Sequence, residues 1–122
     1  MKYLILEDEP FIAMDLKLAF EDVGHDAFAT GECDEAHEAI EQGEIIGAVL
    51  DVNLGGGKTC EKAAATLAEL SLPFVLHTGD LNRVGEFLRQ FGAPIIEKPV
   101  PSSVVVSRLL DMTGEAAKRQ AN

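Results

Sequence analysis

The chain's 122 residues, 47% of them apolar, are enough for one closed core and leave no room for a second. A formal net charge of −11 at pH 7 excludes a nucleic-acid binder, which needs clustered Lys and Arg to displace counterions, and disfavours an anionic membrane surface. No window approaches the roughly 20 apolar residues of a membrane span, and the start, Met1 to Glu7, turns acidic too early for a signal peptide, so the expected location is cytoplasmic.

Lys2 to Leu6 reads as a buried strand followed by the acids Glu7-Asp8-Glu9. Pro10 suits a first helical turn, since it has no amide hydrogen to satisfy and its φ is preset. Phe11, Ile12, Met14, Leu16, Leu18, Ala19 and Phe20 predict an apolar helical stripe that stops near Gly24. His25 to Thr30 predicts a short second strand, Gly31 to Asp34 a turn, and Glu35 to Gln42 a second helix. Glu44 to Val52 predicts a third strand whose apolar run ends on Asp51, just before Gly55-Gly56-Gly57. Lys58 to Leu70, with Ala63, Ala64, Leu67 and Leu70 on a repeating face, predicts a third helix. Pro73 opens a fourth strand through His77, with Thr78 at its exit. Leu81 to Phe91 predicts a fourth helix that buries Val84, Phe87, Leu88 and Phe91 and stops at Gly92. Pro94 to Glu97 predicts a fifth strand delivering Lys98 and Pro99. Ser102 or Ser103 is expected to cap a last helix through Val104, Val105, Leu109 and Leu110, which frays after Gly114.

Strict alternation of strand and helix implies an α/β domain: one parallel sheet with helices on both faces, joined by right-handed crossovers. The expected domain spans 1–117, with a flexible tail over 118–122. If the sheet is doubly wound in the flavodoxin-like order 2-1-3-4-5, as a (βα)5 fold, the strand exits converge on one crevice. They then bring together Glu7 and Asp8, Asp51, Thr78 and Lys98.

Carboxylates packed that closely cannot all ionise cheaply unless a cation lies between them. Mg²⁺ suits such a set, because it takes a few carboxylates together with water and a phosphoryl oxygen. Asp8, with Glu7 through a water, Asp51 and the Asn53 backbone carbonyl are the candidate metal ligands. An acid beside Mg²⁺, a hydroxyl and an ammonium group make a phosphoryl-accepting site. Asp51 is the candidate nucleophile, and Thr78 and Lys98 the groups that meet the phosphoryl oxygens.

Leu6-Glu7-Asp8-Glu9-Pro10, Leu50-Asp51-Val52-Asn53, Thr78-Gly79 and Lys98-Pro99, in that order, make nearly the whole chain resemble the receiver domain of two-component response regulators. The resemblance implies transfer of a phosphoryl group to Asp51 from a histidine kinase or a histidine phosphotransfer protein, with Mg²⁺ as cofactor. It implies a phosphoacceptor signalling domain rather than an enzyme in the turnover sense, with only self-directed phosphotransfer and autodephosphorylation. It also implies a contact face on the fourth helix, fifth strand and fifth helix for a downstream protein, and leaves room for a homodimer. The chain ends soon after the fifth helix, so a single-domain regulator is expected, acting by partner binding or as a phosphorelay intermediate. Pro73 to Gly79 is also similar to a motif of single-domain regulators in alphaproteobacteria. The family usually carries Tyr or Phe three residues before the lysine as a switch, and here that position is Ile95. Phe87 or Phe91, otherwise core residues, are candidate substitutes for it. Asp80 adds a further charge near the site, with an expected effect on phosphoryl lifetime, and a cis bond before Pro99 is left open.

Rival readings, of which a Mg²⁺-dependent phosphohydrolase with an Asp nucleophile is the alternative from another class, each meet a contrary residue. Gly57-Lys58-Thr59 matches the end of a P-loop, but the glycine required at position 52 is Val52. A phosphohydrolase of the haloacid dehalogenase kind carries a second Asp two residues after its nucleophile, where this chain has Asn53. A flavodoxin offers hydroxyls and amides in its first loop, where this chain has three acids. Glu7-Asp8-Glu9 alone also suits a solvated helix N-terminus, and Lys98 alone also suits a structural ion pair with Asp51. Cys33 and Cys60, without CxxC spacing, read as small semi-buried thiols. His25, His37 and His77 lack ligand spacing, and His77 reads as a hydrogen-bonded, semi-buried ring.

Overall fold

The computed structural model describes residues 1–55 and 59–113. Gly56 and Gly57, Lys58 at the expected start of the third helix, Gly114 and the tail fall outside the described residues. The elements are β1 (Lys2–Leu6), α1 (Pro10–Asp22), β2 (Ala27–Thr30), α2 (Cys33–Glu41), β3 (Ile45–Asp51), α3 (Glu61–Glu69), β4 (Phe74–Thr78), α4 (Glu86–Arg89), β5 (Ile95–Glu97) and α5 (Ser102–Met112). All strand pairs are parallel and their order is β2-β1-β3-β4-β5, the expected doubly wound sheet.

Alternation along each strand divides the core in two, because successive side chains leave on opposite faces. Leu4, Leu6, Ala48, Leu50, Phe74 and Leu76 pack beneath α2 and α3 with Ala36, Ile40, Ala64 and Leu67. Tyr3, Ile5, Val49, Val75 and Ile96 pack beneath α1 and α5 with Leu16, Phe20, Val105 and Leu109. The central strands are apolar on both faces, which is why they read as unbroken hydrophobic runs. Tyr3 stacks on Phe20 at 4.9 Å between ring centroids. A Cβ at Gly47 would lie 3.1 Å from the Tyr3 ring, so the smallest residue leaves room for it.

Four expectations change. The expected fourth helix is a 3₁₀ turn, Leu81–Arg83, followed by the single turn of α4. Asp80 accepts a hydrogen bond from the Asn82 N–H and fixes the tight turn, and Gly85 is extended at φ −74° and ψ 170°. Val84 and Leu88 are buried as expected, whereas Phe87 is exposed. The third helix starts at Glu61, because Thr59 is paired with Asn53 in an antiparallel bridge, and Leu70 at its end is exposed. On α1, Ala13, Leu16 and Phe20 are buried, while Phe11, Met14 and Leu18 are 86%, 63% and 52% exposed. The residue capping α5 is Pro101, without a side-chain bond; the Ser102 hydroxyl instead donates to the Asp15 carboxylate on α1, and Val104 is exposed.

Candidate functional site

The strand order makes the site. Leu6 on β1 lies level with Leu50 on β3, so the residues that follow, Glu7 and Asp51, emerge side by side. Asp51 is also level with His77, and Lys98 follows β5 and donates its backbone N–H to the Thr78 carbonyl at 2.7 Å. Glu7 and Asp51 are 3% and 5% exposed, while Asp8 is open to solvent. The Lys98 ammonium donates to Glu7 Oε1 at 3.0 Å and lies 3.5 Å from Asp51 Oδ1. The Glu9 N–H donates to the other Glu7 oxygen at 3.1 Å, and the Asn53 N–H to Asp51 Oδ1 at 3.3 Å. The Lys98–Pro99 peptide is cis.

Glu7, Asp8 and Asp51 each offer a carboxylate oxygen, and these oxygens lie within 4.8 Å of one another. One lysine cannot neutralise three acids at that range. Burial, then the hydrogen bond and charge of Glu7, push Asp51 up to about 7, against the opposing pull of Lys98 and the Asn53 N–H. Burial also works against the Glu7 carboxylate, but its hydrogen bond with Asp51, the Glu9 N–H and Lys98 together hold it below the usual range. Burial works against the Lys98 ammonium too, and the two carboxylates more than reverse it, so its affinity for a proton is raised. An all-oxygen, charge-frustrated set open to solvent through Asp8 fits a hard divalent cation. These acids form one wall of an open cleft of about 440 Å³, completed by Glu9, Asn53, Gly79, Asp80, Arg83 and Lys98.

Thr78 is brought to the edge of this cleft but does not line it. It is fully buried, and its hydroxyl donates to the Asp80 carbonyl at 3.0 Å and accepts from the Asp80 N–H at 3.1 Å. His77 is buried, and neither ring nitrogen has a hydrogen-bond partner among the described residues, which corrects the expected hydrogen-bonded ring. Burial, reinforced by Lys98, pushes it down to about 4, so it is neutral at pH 7. Ile95 packs half-buried against the α2–α3 side of the core. Cys60 is buried and Cys33 half-buried. The sequence reading missed Arg83, whose place in the cleft depends on the break at Val84 and Gly85.

No protein-family model and no curated protein sequence matches the chain. Solved structures do. SdrG from Sphingomonas melonis Fr1 is 34% identical over 90% of this chain and 96% of its own, with a TM-score of 0.74. A response regulator receiver protein from Sinorhizobium medicae WSM419 is 21% identical over 93% and 94%, at 0.77, and a CheY-like receiver domain from Methylobacillus flagellatus is 21% identical over 93% and 98%, at 0.76. The chain belongs to the response regulator receiver family. Among the described residues no helix is long and apolar enough to cross a membrane.

The raised Asp51 carboxyl has a consequence for stability. Between 3.8 and about 7 the folded state keeps a proton there that the unfolded state releases, so this contribution is lost as pH rises through that window. His77 works in the opposite sense, losing stability as pH falls from 6.5 toward about 4, and comparing wild type with Asp51→Asn cancels it. At about pH 8 without divalent cation, Asp51→Asn should be more stable than wild type by on the order of 1 kcal/mol in urea unfolding, and the difference should shrink toward about pH 4. A difference independent of pH would contradict the crowding of Asp51.

Proposed function

We propose that Asp51 accepts a phosphoryl group from a phosphohistidine on a kinase or phosphotransfer protein, and that phosphorylation controls protein contacts of this domain. The observation that carries the reading is the buried Asp51 carboxylate at a strand end, 3.5 Å from the Lys98 ammonium and beside two further acids in an open cleft. An Asp51 oxygen attacks phosphorus, the donor's P–N bond breaks, and its electron pair stays on the imidazole nitrogen. Lys98, already turned between Glu7 and Asp51, pairs with one phosphoryl oxygen. Thr78 reaches another only after its hydroxyl leaves the Asp80 backbone, which makes it a contact formed on phosphorylation. Glu7, Asp8, Asp51 and the Asn53 carbonyl would hold Mg²⁺, which supplies neutralisation of the phosphoryl charge. Asn53 in place of a second acid favours an acceptor over a hydrolase, since no general acid stands at that position.

Exposed Phe11, Met14 and Leu18 on α1 support docking of the phosphodonor protein there. They run from the acid loop along one helix, and a recess of about 350 Å³ beside Phe11, lined by Ile12, Pro99 and Val100, shares Lys98 with the cleft. Phe87 on α4 and Val104 on α5, both exposed, mark the face proposed for a downstream protein.

Incubation with a small acyl phosphate and Mg²⁺ should add the mass of one phosphoryl group to the intact protein. Chelation of the metal or Asp51→Asn should abolish the adduct, and Lys98→Ala should slow it roughly 100-fold. No adduct from any phosphodonor would leave a domain that binds partners constitutively. Phe11→Ala with Leu18→Ala should slow loading from a phosphohistidine protein about 10-fold while loading from the acyl phosphate keeps its rate. Equal slowing with both donors would place these residues in folding rather than docking.

A further inference from the structure

Five acids line the cleft, Glu7, Asp8, Glu9, Asp51 and Asp80, and two cations, Lys98 and Arg83. Lys98 is committed to Glu7 and Asp51. The Arg83 side chain has no ion pair or hydrogen bond among the described residues, although it lines a wall crowded with carboxylates. A flexible guanidinium beside an anionic cleft gains most from the group that presents the densest charge and the best fork geometry, and a phosphoryl group does both.

The backbone that carries Arg83 is tied to β4, through Asp80 and the Thr78 hydroxyl, and also to α4. Arg83 closes the Leu81–Arg83 turn through its N–H to the Asp80 carbonyl at 3.0 Å. Arg89, in α4, donates from Nε to the Val84 carbonyl at 2.9 Å and from Nη2 to the Leu81 carbonyl at 2.7 Å. Those two carbonyls bracket Asn82 and Arg83. A displacement of Arg83 therefore pulls on both acceptors of Arg89 and, through buried Val84 and Leu88, on the short helix behind them.

We propose that Arg83 reports phosphorylation of Asp51: its guanidinium pairs with the phosphoryl group, and the 3₁₀ turn and Arg89 carry that movement into α4. The inference rests on the phosphoacceptor reading of Asp51. It adds a second cation to the product state and names the 81–89 segment as the part of the domain that changes.

The test compares wild type, Arg83→Ala and Arg83→Lys, loaded from a small acyl phosphate with Mg²⁺, by intact mass and by hydrogen exchange of the peptide spanning residues 80–90. Wild type should change its exchange in that peptide on phosphorylation. Arg83→Ala should load several-fold more slowly and, brought to equal occupancy, show the exchange of its own unphosphorylated form. Arg83→Lys should restore part of both, since a positive charge remains but the fork is lost. Identical exchange of the unphosphorylated variants confirms that the exposed turn still folds. A phosphorylation-dependent change in Arg83→Ala equal to wild type, or no change in wild type at full occupancy, would overturn the proposal. Failure of wild type to take up any phosphoryl group would instead overturn the reading of Asp51 itself.

Discussion

One ammonium group held between two buried carboxylates is the constraint on which the rest of the site depends. Lys98 contacts Glu7 directly and stands within Coulombic reach of Asp51, yet a third acid, Asp8, opens onto the same cleft. Buried like charges at this range are tolerated only when something neutralises them. The domain as folded meets that need in part, and the three acids are placed where they could hold a cation. The sheet order is what creates the conflict, because parallel neighbours β1 and β3 end level with each other and each delivers an acid at the same edge.

Much of this is legible in the sequence. The strands of the sheet centre are apolar on both faces, so they stand out as unbroken runs, and the acid that breaks a run marks its exit, as Glu7 and Asp51 do; Lys98 instead follows Glu97 at the end of the short edge strand β5. Other features were hidden for physical reasons. The spacing of Val84 and Leu88 is truly helical and both are buried, but the local bond from Asp80 to the Asn82 N–H and the extended Gly85 win over periodicity between them. Along α1, apolar residues occupy two faces, and nothing in the sequence says that Leu16 and Phe20 point inward while Phe11, Met14 and Leu18 point out. Arg83 was missed because in a continuous helix it would have been one more solvated cation. Whether His77 finds a hydrogen bond depends on neighbours from β3 and β5 that no local pattern specifies.

The two halves of the molecule play different parts. The adjoining ends of β1 and β3 are buried and fixed by ladder bonds, which suits a site that must hold acids close together. The segment after β4 is built from a 3₁₀ turn, an extended glycine and a one-turn helix, bound to each other mainly through Arg89. Of residues 81–89 only Val84 and Leu88 are buried, so few core contacts hold the segment. Thr78, with its hydroxyl parked on the Asp80 backbone, stands at the junction of the two.

The central claim is that the phosphoryl group sits on Asp51 and on no other acid of the cleft. Borohydride reduction of the loaded protein converts an aspartyl phosphate to homoserine, and peptide sequencing by mass locates it. The account predicts homoserine at position 51 alone. Reduction at Glu7, Asp8 or Asp80, or none in protein that carries the phosphoryl mass, would contradict it.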